Sequence, residues 1–307
     1  MITRLRALAK INLGLDVLRK REDGYHEVRM VMQTIRMYDQ LDITRNIQPG
    51  IHIKTNLPYL PVNENNLVFK AAKLLMDEFQ IQEGLSIQLK KVIPVSAGMA
   101  GGSSDAAAAL VGVNKIFALG LSRKELMERG RQIGADVPYC VMRGTALAEG
   151  IGEILTPLPP VPQGYVLVGK PGVNVSTKFV YGRLDAANLK EHPDIDGMVA
   201  ALGQKDLRQV ADKLGNVLET VTVPEYPVID EIKKSMVRWG ALNALMSGSG
   251  PTVFGLFDDR EKAEYASEKL KKSRLVKQSF LTSFYNLPDR GRMGGKNPEN
   301  GGNTNDI

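Results

Sequence analysis

A single cysteine in 307 residues excludes an internal disulfide and a cysteine-rich zinc site. That residue, Cys140, sits among Val137, Pro138, Tyr139 and Val141, a setting that predicts a buried and inert thiol. The three histidines show no metal-ligand spacing. No apolar run reaches the roughly eighteen residues that a membrane span requires. The basic start, Met1 to Arg6, leads into no apolar signal segment, so a cytoplasmic location is the expectation. Two familiar phosphate loops are missing as well. There is no Gly-x-x-x-x-Gly-Lys-[Ser/Thr], and Gly98, Gly101 and Gly102 do not give the Gly-x-Gly-x-x-Gly spacing. Internal repeats are absent.

What remains is an ordinary globular composition, 43% hydrophobic and 24% charged, in a chain long enough for one large domain or two smaller ones. The net charge is +6, yet Arg19-Lys20-Arg21 and Lys90-Lys91 are short clusters and form no long basic stripe. That pattern favours anionic small molecules over nucleic acid or a membrane as partners. A homodimer is left open.

The first 55 residues read as strands. Ile11, Leu13, Leu15 and Val17 alternate with Asn12, Gly14 and Asp16, and Asp23-Gly24 marks a turn. Helices are expected over 65–79, 103–119 and 123–133, then strand character from 145 to 158. Pro157, Pro159, Pro160 and Pro162 break the chain and suggest a boundary there. This gives an N-terminal unit over 1–160 and a second over 161–287. The second unit mixes strands at 165–169, 241–247, 252–257 and 278–284 with helices near 176–183, 194–202, 204–213, 227–238 and 259–272. The class is α+β. Residues 288–307, rich in Gly and Asn, carry no core pattern and are expected to be disordered.

The most informative segment runs from Pro94 to Ala109, PVSAGMAGGSSDAAAA. It joins a strand to an alanine-rich helix through a glycine-dense turn. Unpaired amides at a helix N-terminus, together with its dipole, favour an anion, and glycines let phosphate oxygens approach the backbone. Pro94, Ala97, Gly98, Met99, Ala100, Gly101, Gly102, Ser103 and Ser104 are therefore a candidate phosphate cradle. The plainer alternative is a helix cap at Ser103 or Ser104 behind a flexible connector. The density of Gly and Ser exceeds what capping needs. Asp105 reads as an acid favoured by the helix dipole, and Lys90 or Lys91 as a shield for phosphate.

Two further residues stand out by chemistry. Lys10, in the apolar strand Ala9-Lys10-Ile11, is costly if buried without a carboxylate partner, although an edge lysine facing solvent fits too. Asp136 follows a helix and precedes Pro138, which suits either a turn aspartate or a carboxylate projecting into a cleft. His52 and His192 read as surface residues.

Three segments in this order, Ala9-Lys10-Ile11-Asn12-Leu13, the glycine turn above and Met246-Ser247-Gly248-Ser249-Gly250-Pro251-Thr252, resemble the three motifs of the GHMP kinases. Within that family, Asp23-Gly24-Tyr25-His26 and Gly134-Ala135-Asp136-Val137-Pro138 are similar to the branch that phosphorylates a cytidine-diphosphate-linked methylerythritol. The likeness runs from about residue 3 to 285. It implies a two-domain fold: an N-terminal domain like domain 2 of ribosomal protein S5, a ferredoxin-like C-terminal sandwich, and an active site in the cleft between them. It also implies ATP and Mg²⁺ as cofactors and phosphoryl transfer to a tertiary 2-hydroxyl. Asp136 would accept the hydroxyl proton beside Lys10. Tyr25 would stack on cytosine, His26 would bond its edge, and Tyr181 would close the sandwich. Asn12 and Thr177 would bond substrate. Ser103 and Ser104 would reach phosphate, with Ser104 a candidate Mg²⁺ ligand. Ser247, Gly248, Ser249 and Gly250 would support the phosphate loop. Met99 and Ala100 depart from the Leu and Gly usual there; Met conserves the volume of Leu, and Ala100 is tolerated there if its φ is negative.

Overall fold

The computed structural model describes residues 2–287, so the 288–307 tail expected to be disordered lies outside the described residues. The chain opens with a long antiparallel hairpin, β1 (Ile2–Lys20) and β2 (His26–Asn46). Next come β3 (Ile51–Thr55), α1 (Leu67–Glu78), β4 (Gly84–Lys90), α2 (Gly101–Ile116), α3 (Arg123–Gly130) and α4 (Val137–Met142). The strand character expected over 145–158 takes the form of a second hairpin, β5 (Thr145–Glu149) and β6 (Ile154–Pro157). The remainder is β7 (Tyr165–Lys170), α5 (Thr177–Arg183), α6 (Ile195–Gln204), α7 (Leu207–Asp212), β8 (Gly215–Asn216), α8 (Glu219–Glu225), α9 (Val228–Arg238), β9 (Asn243–Met246), β10 (Val253–Phe257), α10 (Arg260–Lys272) and β11 (Gln278–Ser283).

Local chemistry sets many of the helix starts. The Asn66 side chain accepts from the Val68 amide ahead of α1, Ser122 and Glu125 form a reciprocal capping box for α3, and Asp259 caps α10. No side chain caps α2. It starts at Gly101, two residues earlier than expected, behind Ala100 at φ 53 and ψ 31.

Two sheets organise the chain. The first runs β3-β4-β2-β1-β8, with β5 pairing β2 and β6 pairing β5. The buried Val68, Ala71, Leu75 and the alanine face of α2 join Leu5, Leu41, Ile43 and Leu85 of this sheet in one core. Small residues matter here: a Cβ on Gly112 of α2 would lie 2.4 Å from Ile43 and 2.7 Å from Leu5. The second sheet is antiparallel throughout, in the order β11-β7-β10-β9. Its first strand lies between its fourth and third, the ferredoxin-like arrangement, and α9 and α10 cover it. The expected α+β class with two sheets is what the chain adopts.

The halves are tied together. The short β8 pairs in parallel with β1 at Gly14 and Leu15. Arg29 on β2 binds Asp196 on α6 through two bonds of 2.7 and 3.0 Å. His192 is exposed, as expected, and its Nδ1 meets the buried Asp16 carboxylate at 2.8 Å.

Candidate active site

A cleft of about 1210 Å³ gathers residues from both halves of the chain. Lys10 reaches it from β1. Register shifts in the β1–β2 ladder between Leu8 and Lys10, and again between Asn12 and Gly14, bracket this stretch. Such bulges re-aim side chains beside functional sites. The Lys10 amide bonds the Met99 carbonyl at 3.2 Å instead, which pins the strand to the glycine turn.

Asp136 occupies the N-cap position of α4, but its carboxylate caps no amide of that helix. It faces the cleft, and its Oδ2 lies 4.0 Å from Lys10 Nζ. Residues 126 positions apart in sequence thus form an ammonium–carboxylate pair. The lysine is buried and the aspartate is one-third exposed.

From the first glycine turn, Pro94, Ala97, Gly98, Ala100, Gly101, Gly102 and Ser103 line the cleft. The uncapped first turn of α2 therefore opens onto it, an arrangement suited to an anion. The second glycine turn packs behind the first. Ser247 Oγ donates to the Gly98 carbonyl at 2.9 Å, and only Gly248 and Ser249 of this turn reach the cleft wall. Ser247 and Gly250 are buried behind them.

Tyr25, His26, Thr177 and Tyr181 also line the cleft. The His26 and Tyr181 rings lie 5.1 Å apart and tilted by 44°. The Tyr25 ring is 61% exposed, open to receive a stacking partner. Burial, and then the charge of Lys20, hold the His26 imidazole below its ordinary pKa of 6.5. It is thus neutral at pH 7, with one donor and one acceptor nitrogen. Burial, with Asp136 nearby, pushes the Tyr181 phenol up, so it remains a hydroxyl. Thr177 Oγ1 lies 2.9 Å from Ser249 Oγ and joins α5 to the second glycine turn.

Comparison with known proteins fits this geometry. The family models described as GHMP kinases N terminal domain and GHMP kinases C terminal match residues 66–144 and 198–276. A 4-diphosphocytidyl-2-C-methyl-D-erythritol kinase from Lachnospira eligens is 56% identical over 282 residues, covering 92% of this chain and 98% of its own. One from Lachnoclostridium phytofermentans is 56% identical over 284 residues, with the same coverage of each. This chain belongs to the GHMP kinases, in the family of those relatives. A crystal structure of 4-(cytidine 5'-diphospho)-2C-methyl-D-erythritol kinase matches at 31% identity and a TM-score of 0.79, over 92% of this chain and 98% of that one.

Five expectations for this GHMP kinase need correction. The Ser104 hydroxyl does not face the cleft: it is buried and donates to the Leu8 carbonyl at 2.6 Å, holding α2 to β1. Ala100 takes a left-handed φ of 53, not a negative one, because the turn must reverse before α2 begins. Asn12 is fully buried and off the cleft wall. Its Oδ1 accepts from Lys10 Nζ at 2.7 Å, so its side chain acts on the lysine instead of being presented to substrate. Asp105 is no simple first-turn acid. It is buried and ion-paired at 2.6 Å to Lys91, whose ammonium also binds Asp39. Met99 likewise turns its side chain into the core.

Sequence reasoning missed other residues of this kinase. Asn216 on β8 donates to the Met246 and Gly248 carbonyls, both at 2.8 Å, and thereby sets the second glycine turn against β1. No motif marks it. Leu60, Pro61, Asn65, Asn66, Leu67 and Leu89 also line the cleft. The proline and asparagine cluster over 58–66 was the available signal. Among the described residues, no helix is long and apolar enough to cross a membrane.

Proposed function

We propose that this chain transfers the γ-phosphoryl group of ATP to the 2-hydroxyl of 4-diphosphocytidyl-2-C-methyl-D-erythritol, a step of non-mevalonate isoprenoid precursor synthesis. The observation that carries this reading is the Lys10–Asp136 pair at 4.0 Å, in a cleft lined by both glycine turns. Binding alone needs no acid–base pair, and the relatives that share over half of this sequence bear the name of that kinase.

In this reading the adenine lies against Leu60, Pro61 and Leu67 of the cleft wall. The triphosphate runs along Gly98 to Ser103 to the open end of α2. Cytosine lies against Tyr25, with His26 on its edge and Tyr181 behind; base-on-aromatic stacking contributes about 1–3 kcal/mol. This directs the 2-hydroxyl to Asp136. The carboxylate takes the hydroxyl proton as the oxygen attacks phosphorus, and Lys10 balances the charge that gathers there. Asn12 fixes the lysine through its 2.7 Å bond.

Mg²⁺ belongs to this reading as the ion that neutralises the triphosphate oxygens. No cluster of three or more His, Cys, Asp or Glu among the described residues forms a dedicated cage. That suits Mg²⁺, which is typically held by one or two protein groups plus phosphate. At the start of α2 it is Ser103, not Ser104, that lines the cleft, and its hydroxyl would hold the ion together with the phosphate oxygens. Residues 1–160 thus supply the phosphate loop and the reacting pair, and 161–287 supply Thr177, Tyr181 and the second glycine turn. The reading also places the enzyme in the cytoplasm.

The test is ADP release with three acceptors: the cytidyl-methylerythritol, homoserine and mevalonate. Turnover of the first alone supports the reading. Equal or better turnover of either other acceptor contradicts it, because Tyr25, His26 and Tyr181 would then have no base to read.

A further inference from the structure

Beside the phosphate loop lies a buried cluster that the transfer chemistry does not use, although Lys91 and Asp105 border the cleft. Asp39, on β2, is fully buried in the interior of the sheet. Its Oδ1 accepts from the Val92 amide and from the Ile93 amide at 2.8 Å, and its Oδ2 accepts from Lys91 Nζ. The same ammonium bonds Asp105 Oδ2 on α2 at 2.6 Å. Lys91 and Ile93 lie just before the loop and Asp105 just after it. A Cβ placed on Gly101, where the loop enters α2, would sit 3.0 Å from Ile93 and 3.3 Å from Lys91 Nζ.

We infer that Asp39, Lys91 and Asp105 form a staple that closes the mouth of the phosphate loop and so positions its amides for the nucleotide. The glycine turn between Pro94 and Ala100 has little stiffness of its own. Fixing both of its ends to one point on β2 removes most of the freedom that ATP binding would otherwise have to restrain. The lysine acts through the loop: its ammonium is occupied by two carboxylates, which replaces the expected direct shielding of phosphate.

The charge arrangement agrees. Two carboxylates and one ammonium beside an anion site would repel a triphosphate if all were ionised. Asp39 has three donors, whereas Asp105 Oδ1 is buried with no hydrogen-bond partner among the described residues. Burial drives the Asp105 carboxyl well above the usual range; Lys91 opposes this and Asp39 reinforces it. The Asp105 carboxyl is thus pushed toward its neutral form, which lessens the negative charge beside the anion site. A cluster with an unpartnered buried oxygen is a poor device for stability alone, since apolar side chains fill such space at least as well.

This inference rests on the ATP-dependent reading above, and two isosteric variants test it. Asp39→Asn turns an amide donor toward either Lys91 or the Val92 and Ile93 amides and breaks the staple. Asp105→Asn still offers Lys91 an acceptor. Calorimetric titration with ATP, without acceptor, should show Asp39→Asn weakened by about tenfold or more and Asp105→Asn by less than about threefold. The KM for the acceptor should stay within about twofold in both, because the staple touches only the nucleotide side. Equal ATP affinity in Asp39→Asn and wild type overturns the staple alone, as does an equal fall in nucleotide and acceptor binding. A wild-type chain that binds no ATP overturns the reading beneath it. Should Asp39→Asn not fold, Asp105→Ala, which frees one end of the loop, must show the same selective loss of ATP affinity.

Discussion

Gly98 lies directly against Ser247: the serine hydroxyl bonds the glycine carbonyl at 2.9 Å, and a Cβ on Gly98 would meet the Ser247 carbonyl oxygen at 2.0 Å. Gly98 also has a φ of +72. The two glycine turns are therefore one unit, with the second acting mainly as the backing of the first. Gly98→Ala should force them apart and cost roughly 2–4 kcal/mol in stability, from left-handed strain and backbone overlap together. Denaturant unfolding reads this directly, and a loss below about 0.5 kcal/mol would contradict the packing.

Ala100 offers a change of the opposite sign. Its left-handed backbone costs an alanine roughly 1–2 kcal/mol, partly offset by the greater chain entropy that glycine loses on folding. Ala100→Gly should therefore stabilise the protein by about 0.5–1 kcal/mol, seen as a higher denaturation midpoint at unchanged slope.

These two positions show what the sequence could and could not convey. The strand, the glycine turn and the alanine helix were legible because each is a local pattern. The φ at Ala100 was not, since it depends on how the turn reverses before α2. Ser104 was misassigned because a hydroxyl at a helix start looks the same whether it faces a ligand or the Leu8 carbonyl. Asp39, Lys91 and Asp105 are scattered along the chain and meet only after β2, β4 and α2 pack. Asn216 sits in a two-residue strand that no periodicity can reveal. Lys10 and Asp136 were visible as chemical oddities, and the family likeness is what joined them.

His26 makes substrate recognition dependent on pH. Its folded pKa is depressed, so the neutral imidazole persists further into acid than an ordinary histidine. The KM for the cytidyl acceptor should be flat from about pH 7 to 8 and rise only as pH falls below the ordinary value of 6.5. Any stability that the neutral form lends is present above 6.5 and lost as pH falls through the depressed value. His26→Asn should remove this step in KM.

Tyr25→Ala should raise the acceptor KM by about 5- to 150-fold, the equivalent of 1–3 kcal/mol of stacking, with kcat nearly preserved. Steady-state kinetics separate the two constants. A collapse in kcat at unchanged KM would mean that Tyr25 serves the reacting atoms instead of the base.

The most direct test of the whole account is the turnover of Asp136→Asn with ATP and the cytidyl acceptor, alongside its ATP affinity. The account predicts a folded protein that binds ATP like wild type and loses about 10²- to 10⁴-fold in kcat. Undiminished kcat in that variant would show that the carboxylate beside Lys10 takes no proton, and the proposed chemistry would be wrong.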